Sequence, residues 1–418
     1  MRNPVKEIVL QGQGQKMRAA VLEDGQLMEV HEEEGLFSRI VGNIYRGRVV
    51  NILPGMQAAF VDIGLEKNAF LYVGDAVPIQ YEDDERLPPP EDLRIEQVLK
   101  PRQELLVQII KEPVGNKGAR ITTNLTIPGR YAVLMPNTEY VGVSRKITDE
   151  AERKRLRQIA REACPPGKGI IVRTLAKGIA AKELEEDFQE LVALWEGLAK
   201  RIPKVSVPGL VHQEVNLVSR AIRDWIDDEV EVITVNQPEV AEEMRKALKE
   251  LGHPAANHVR LNYKEDIFSD YGIDNTIRQA LRPKVWLKSG GYLVIQQTEA
   301  LTVIDVNTGK YVGDKSLKDT ILHINQEAAL EIVRQLRLRN LGGIIIVDFI
   351  DMTAEEDKEQ LLKVLEEAAA KDKLKCQVMG LTQLGLIEMT RKKVGQTLEV
   401  RYGQTCPHCE GLGRIFDQ

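Results

Sequence analysis

A chain of 418 residues that is 43% hydrophobic and 29% charged can bury several cores and is too long for one ordinary compact unit, so about two to four domains are expected. No window approaches the roughly 20 apolar residues of a membrane span, and the opening MRNPVKEIVLQGQGQKM reaches Gly and Gln before a signal-peptide core develops, so a cytoplasmic protein is expected. Four cysteines are too few for a disulfide framework and suit a reducing compartment, and the net charge of −6 excludes a surface coated in positive charge, so any nucleic-acid contact must use local basic clusters.

Over residues 6–32, short alternating runs broken by Gly and Asp-Gly predict a β-meander whose sheet is completed elsewhere. Residues 39–75 and the later phrase LKPRQELLVQIIKEP continue as strands punctuated by Pro-Gly and Gly, the pattern of a barrel. The intervening QYEDDERLPPPEDLR lacks periodicity and predicts an exposed loop whose role is solvation. Residues 121–212 mix strands (RYAVLMP, GIIVRTL) with helices around 151–163 and 182–201, as an α+β unit does. Helices are expected next at 213–228 and 239–251, the second opening after Asn236 with Pro238 in its first turn. Beyond Arg282, YLVIQQTEALTVIDVN, a helix over 317–338, GGIIIVDFIDM and a helix over 354–370 spell an α/β segment.

Two phrases in that segment carry the strongest chemistry. LTVIDVNTG and IIIVDFIDM are apolar β-branched runs that end in acid, at Asp305 and Asp348. The interval between them fits a strand, a crossover helix and a second strand, and the right-handed crossover rule makes the strands parallel near neighbours. Both carboxylates then reach the same sheet edge, where two carboxylates and the amide of Asn307 form an all-oxygen set suited to Mg²⁺. The same aspartates also suit helix-capping or turn roles after buried strands. Asp351, just ahead of Met-Thr-Ala-Glu-Glu, suits a helix N-terminal role better than ligation.

Three weaker signals lie outside that pair. Phe60 and Phe70 near a turn, with Lys111 ending a later strand, could make a stacking platform for single strands, although a strand Phe is more often core. Arg173-Thr174 after the apolar run GIIV pairs a guanidinium with a hydroxyl, a chemistry that grips phosphate and also an ordinary strand ending. Cys406-Pro407-His408-Cys409 offers two thiolates at knuckle spacing with no second pair, so four zinc ligands require two chains; a redox Cys-x-x-Cys ranks lower because the motif sits in a Gly-rich tail. Cys164 and Cys376 read as unpaired packing residues.

The phrases NKGAR-ITT, IVRT, VIDVNTG, VDFIDM and CPHCEGLG stand in the order in which they occur in the ribonuclease E/G family, which the chain resembles over about residues 39–413. The resemblance implies a multidomain α/β and α+β architecture: an RNase H-like structural subdomain over 1–37 and 213–281, interrupted by an S1 (OB-fold) barrel over 38–120 and a 5′-sensor subdomain over 121–212. A DNase I-like catalytic α/β subdomain over 282–400 and a zinc-link tail over 401–418 follow. It implies a Mg²⁺-dependent endoribonuclease for single-stranded, AU-rich RNA, leaving 5′-phosphate and 3′-hydroxyl ends and serving rRNA processing and mRNA decay. Asp305 and Asp348 would hold the Mg²⁺ with Asn307 assisting, and Phe60, Phe70, Lys111, Arg145 and Arg391 would contact RNA. Gly129, Val133, Arg173 and Thr174 would form a pocket for a stimulating 5′-monophosphate. Cys406 and Cys409 would share Zn²⁺ across a homodimer, and because the sequence stops soon after Cys409, a small C-terminal tetramerisation domain is not expected. A ribonuclease G-like short core is the nearer likeness. The competing expectations are a non-catalytic S1-type RNA-binding or ribosome-associated protein and a zinc-bridged scaffold.

Overall fold

The computed structural model describes residues 5–34, 40–82, 84–113, 117–227, 229–309, 317–404, 406–409, 411 and 413. The expected boundary at 37/38 and residues 405, 410, 412 and 414–418 of the expected zinc-link tail lie outside the described residues. The chain is a mixed α/β multidomain protein with two compact units, residues 1–32 with 228–418, and residues 33–227.

In the first unit the predicted meander forms as Lys6–Gln13, Lys16–Glu23 and Gln26–Glu34. Its sheet is completed from far along the chain by Val230–Val235, parallel to Lys6–Gln13, and then by Val259–Leu261. Ile8, Val9 and Leu10 are consecutive and fully buried, the mark of a strand covered on both faces. The second sheet has six strands in the order Lys284–Trp286, Tyr292–Gln297, Leu301–Asn307, Gly343–Asp348, Ile387–Arg391 and Cys376–Leu381. Leu301–Asn307 and Gly343–Asp348 run parallel as neighbours, with helix Leu317–Leu338 as the crossover.

Alternation along these strands sends Leu293, Ile304, Val306, Ile345, Val347, Ile387 and Met389 to one face, where Ile324, Ala328, Ile332 and Leu336 of that helix and Leu361 and Leu365 of helix Glu355–Ala370 cover them. Both helices therefore lie on one side, and the alternate residues of the strands face outward. The end of the crossover helix is tied to the first sheet by Arg337, whose side chain is only 4% exposed. Its Nη2 donates to Glu23 Oε1 at 2.7 Å and to Glu29 Oε1 at 2.9 Å.

In the second unit Ile44–Leu53, Ala58–Asp62, Ala69–Tyr72, Arg120–Thr122 and Glu104–Lys111 pair in that order, and the last pairs back onto the first. This is a closed five-stranded barrel, the strand number of an OB-fold, filled by Val49, Ala59, Val61, Leu71, Val107, Ile109 and Ile121. Gly209–His212 adds a strand to its Ile44–Leu53 edge. A four-stranded sheet, ordered Ile127–Pro128, Ala132–Met135, Gly169–Val172 and Val141–Val143, packs against helices Glu150–Ala163 and Ala181–Arg201 through Leu156, Ala160, Leu184 and Phe188.

Two expectations are corrected here. The helix expected over 213–228 forms only as Leu217–Asp224, because Asn216 accepts the Ser219 amide as a cap and so starts the helix late. The segment read as a solvated loop instead carries the hairpin Tyr81–Glu82 and Glu85–Arg86. Asp84 within it has a 6% exposed side chain that accepts hydrogen bonds from Tyr140, Arg153 and Arg157, pinning the loop to the neighbouring α+β layer.

Arg337→Leu leaves Glu23 and Glu29 facing each other without their cation and should cost about 3 to 5 kcal/mol, read as a lower urea midpoint. Burial alone would raise the Glu29 carboxyl, but its hydrogen bond to His31 and the Arg337 guanidinium hold it well below its ordinary 4.5. The unfolded chain then binds this proton more readily than the folded one, so the contribution is complete above about pH 4.5 and is lost as acid is added. Glu29→Gln should flatten that acid limb in a pH series of urea melts.

Candidate active site

The parallel register of the two central strands of the six-stranded sheet places Asp305 directly opposite Asp348. Residues opposite one another in neighbouring strands project to the same face, and flanking Ile304, Val306 and Val347 point to the helix-covered core. Both carboxylates therefore stand on the uncovered face, and both residues are exposed. Asn307, two positions along the same strand, donates from Nδ2 to Asp305 Oδ2 at 2.7 Å, which fixes one carboxylate and leaves the amide oxygen available.

The capping alternative does not describe these residues. Asp305 lies inside its strand, Asp348 is the last residue of its own, and the following helix is capped at Ala354. Asp351 lies ahead of that cap and is exposed; it does not cap the helix. Sequence reasoning missed Asn325, which is fully buried in the crossover helix. It donates to Ile350 O at 2.8 Å and accepts from Ile350 N at 3.1 Å, clamping the backbone two residues past Asp348. The signal was an amide at a core-facing helical spacing, three residues before Ala328 and seven before Ile332 in ILHINQEAALEIV.

On the barrel, Phe60 stands opposite Phe70, Phe70 opposite Arg120, and Arg120 opposite Lys111. The two half-buried rings meet edge to face with centroids 6.2 Å apart, and Lys111 is exposed. Their strand neighbours Ala59, Val61, Ala69 and Leu71 are fully buried, so this row lies on the outside of the barrel. Arg120 was not anticipated. Its guanidinium donates to the buried Asp75 at 3.0 Å from Nε and 2.6 Å from Nη2, holding the cation between the aromatics and Lys111.

In the α+β layer, Val133 sits opposite Pro128 and Ile171, and Arg173 follows the strand Gly169–Val172. Arg173 donates from Nη1 to Gly129 O at 2.5 Å and from Nη2 to Asp224 at 2.7 Å, while the Thr174 hydroxyl lies 2.9 Å from that of Ser144. Burial would raise the Asp224 carboxyl, but Arg223 and Arg173 hold it below the usual range. Two of the five guanidinium N–H groups are thereby used. Gly129 is a close-approach glycine: a Cβ there would come within 2.7 Å of Asp187 Oδ2. The Asp187 carboxylate accepts the amides of Arg130, Tyr131 and Ala132, at 2.9, 3.0 and 2.9 Å.

Arg145 is exposed and paired with the exposed Glu85. Arg391 is an interior group: its side chain is 4% exposed and donates to Asp372 at 2.6 Å and to Leu341 O at 2.7 Å. The structure gives it a packing role where an RNA contact was expected, because strand alternation turns position 391 to the same buried side as Ile387 and Met389, where Asp372 meets it. Cys406 is exposed, and the amides of Cys409 and His408 lower its thiol below the ordinary value. Among the described residues no group of three or more His, Cys, Asp or Glu could hold a metal. No helix among the described residues is long and apolar enough to cross a membrane.

The Ribonuclease E/G family matches residues 126–394, a span holding both aspartates and the α+β layer. The chain is 42% identical over 411 residues to Ribonuclease G of Haemophilus influenzae, covering 98% of this chain and 84% of that one. It is 42% identical over 403 residues to Ribonuclease G of Escherichia coli strain K12, covering 95% and 82%. To Ribonuclease E of a Synechocystis species it is 41% identical over 404 residues, covering 96% of this chain and 59% of that protein. The chain belongs to the ribonuclease E/G family.

Asn325→Ala should leave the Ile350 amide and carbonyl unpaired and cost about 1 to 3 kcal/mol of stability. It should also let Asp348 drift, so turnover should fall more than substrate affinity. Steady-state kinetics beside a urea melt separate the two effects.

Proposed function

We propose that the chain is an endoribonuclease that hydrolyses phosphodiester bonds of single-stranded RNA with Mg²⁺. The observation that carries this reading is the solvent-facing pair Asp305–Asp348, set opposite each other in parallel strands with Asn307 bonded to Asp305, in a chain 42% identical to Ribonuclease G. Two carboxylates and one amide oxygen make an all-oxygen set with few protein ligands and open space around it, which fits a hard cation that keeps several waters. Asp305 and Asp348 would hold it. When bound, Mg²⁺ would neutralise charge developing on the scissile phosphate and supply a water of lowered pKa.

The remaining work falls to the chain's own residues. Asn307 fixes the orientation of Asp305, and Asn325 fixes the backbone beyond Asp348. Phe60, Phe70 and Lys111, with Arg120 between, offer stacking faces and cations to an unpaired strand, and stacking is tolerant of base identity. Arg173 and Thr174 beside Gly129 would grip a 5′-monophosphate, and holding that end raises the rate by orientation. Arg145 would extend the contact with the strand. Cleavage would leave 5′-phosphate and 3′-hydroxyl ends on AU-rich stretches, in rRNA processing and mRNA decay in the cytoplasm.

In this reading the barrel is an S1 domain, the layer beside it a 5′ sensor, the six-stranded sheet a DNase I-like subdomain and the meander sheet RNase H-like. Cys406 and Cys409 would contribute half of a tetrahedral Zn²⁺ site completed by a second copy, stapling a dimer.

The test is cleavage of a short 5′-monophosphorylated, AU-rich single-stranded RNA with and without Mg²⁺. Cutting should require the metal and fall on the order of 10³-fold or more in Asp305→Asn and Asp348→Asn, with RNA affinity of the barrel retained. RNA binding with no cutting under any divalent metal would replace the nuclease with a binding protein. Cys406→Ser should shift the sedimentation of the zinc-loaded protein from dimer to monomer; an unchanged dimer would remove the zinc staple.

A further inference from the structure

The uncovered face that carries Asp305 continues as a grid toward the sheet edge. In one lateral row Lys284 stands opposite Val294, Val294 opposite Asp305, and Asp305 opposite Asp348. In the next row Trp286 stands opposite Tyr292, and Tyr292 opposite Asn307. The residues between these rows, Val285, Leu293 and Val306, turn to the core, which fixes the others outward. At ~4.8 Å between neighbouring strands, Tyr292 is one spacing and Trp286 two spacings from the amide that holds Asp305.

Trp286 is 61% exposed, an unusual cost for an indole on a sheet whose core lies on its other face. Its ring meets that of Tyr292 at 62°, with centroids 5.3 Å apart. The Lys284 ammonium lies 4.1 Å from the Trp286 centroid and 3.5 Å from that of Tyr292. The hairpin bearing them is held from below. Leu287 is buried, and the Glu327 carboxylate on the crossover helix accepts the Lys288 amide at 2.7 Å and the Ser289 amide at 3.2 Å. The pair is therefore a preformed aromatic surface, which can stack on a partner without first losing freedom. Its neighbours also name the partner's chemistry: an aromatic face, a cation for a phosphate, and a carboxylate pair one to two strand spacings from Tyr292 and two to three from Trp286 match an unpaired nucleotide.

The geometry points to Trp286 and Tyr292 as a stacking platform for a base flanking the scissile phosphate, with Lys284 meeting the backbone phosphate on that side. The inference rests on reading Asp305 and Asp348 as the cleaving pair. It assigns the catalytic face a substrate grip of its own, independent of the barrel.

The test is steady-state cleavage of a short single-stranded RNA by the full chain with Mg²⁺, comparing wild type, Trp286→Ala, Trp286→Phe and Asp305→Asn. The substrates carry one abasic nucleotide at each position around the cut in turn. Trp286→Ala should raise KM roughly tenfold with a smaller change in kcat, and Trp286→Phe should recover most of it. One abasic position beside the cut should cost wild type a similar factor and cost Trp286→Ala nothing further. Equal abasic sensitivity in wild type and Trp286→Ala, or a KM unmoved by Trp286→Ala, overturns the platform. An unmoved KM with self-association lost in sedimentation would make the same surface a contact between copies and overturn it equally. Undiminished cutting by Asp305→Asn is a distinct outcome, because it overturns the reading of the carboxylate pair itself.

Discussion

The parallel registration of Leu301–Asn307 against Gly343–Asp348 is the constraint on which the candidate site depends. A slip of one residue in either strand would turn one carboxylate into the core and an isoleucine or valine outward. The buried alternates Ile304, Ile345 and Val347 therefore define the acid pair as firmly as the acids themselves. Parallel neighbours need a crossover, and helix Leu317–Leu338 supplies it while covering those same alternates. The helix in turn is held at its far end by Arg337 and in its middle by the Asn325 clamp on Ile350. Packing, crossover and site are thus one mechanical unit.

Much of this was legible because β-branched runs ending in acid state both a strand and its open end. The meander, the two long helices of the α/β segment and the adjacency of Asp305 and Asp348 follow from period and interval. What the sequence concealed depends on partners distant along the chain. Asp84 looked like one more acid in a Pro-rich loop, and only the fold brings Tyr140, Arg153 and Arg157 to it. Arg391 looked like a surface cation, yet strand alternation turns it toward Asp372. Arg120 had no signal of its own, since its place between Phe70 and Lys111 arises from the order in which barrel strands pair.

The barrel row and the grid beside the acid pair use the same device. Each lines side chains across neighbouring strands, so residues far apart in sequence meet at one strand spacing: Phe60, Phe70, Arg120 and Lys111 in one, Trp286, Tyr292 and Asn307 in the other. Such rows are held because alternates such as Ala59, Val61, Ala69, Leu71, Ile121, Leu293 and Val306 are locked in a core. Rigidity suits a substrate that is itself flexible, since the ordering cost then falls on one partner only.

Charge limits how such surfaces can act. With a net charge of −6 the protein has no bulk positive field to draw in a polyanion, and its cations at the candidate interfaces are mostly paired already: Arg120 with Asp75, Arg173 with Asp224, Arg145 with Glu85. Pairing fixes where each guanidinium points and shortens the reach of its field, and salt screens what remains beyond about 8 to 10 Å. Any attraction to RNA would therefore act at contact, through stacking and a few oriented donors. On the face that carries the acid pair the balance is sharper still, because Asp305, Asp348 and the exposed Glu388 together would repel a phosphodiester. A divalent cation held by the carboxylates would cancel two of those three charges, so the same ion that suits the chemistry would also weaken the barrier to the substrate. An aromatic grip beside it, which owes nothing to charge, would then select an unpaired strand over a duplex whose bases are already stacked.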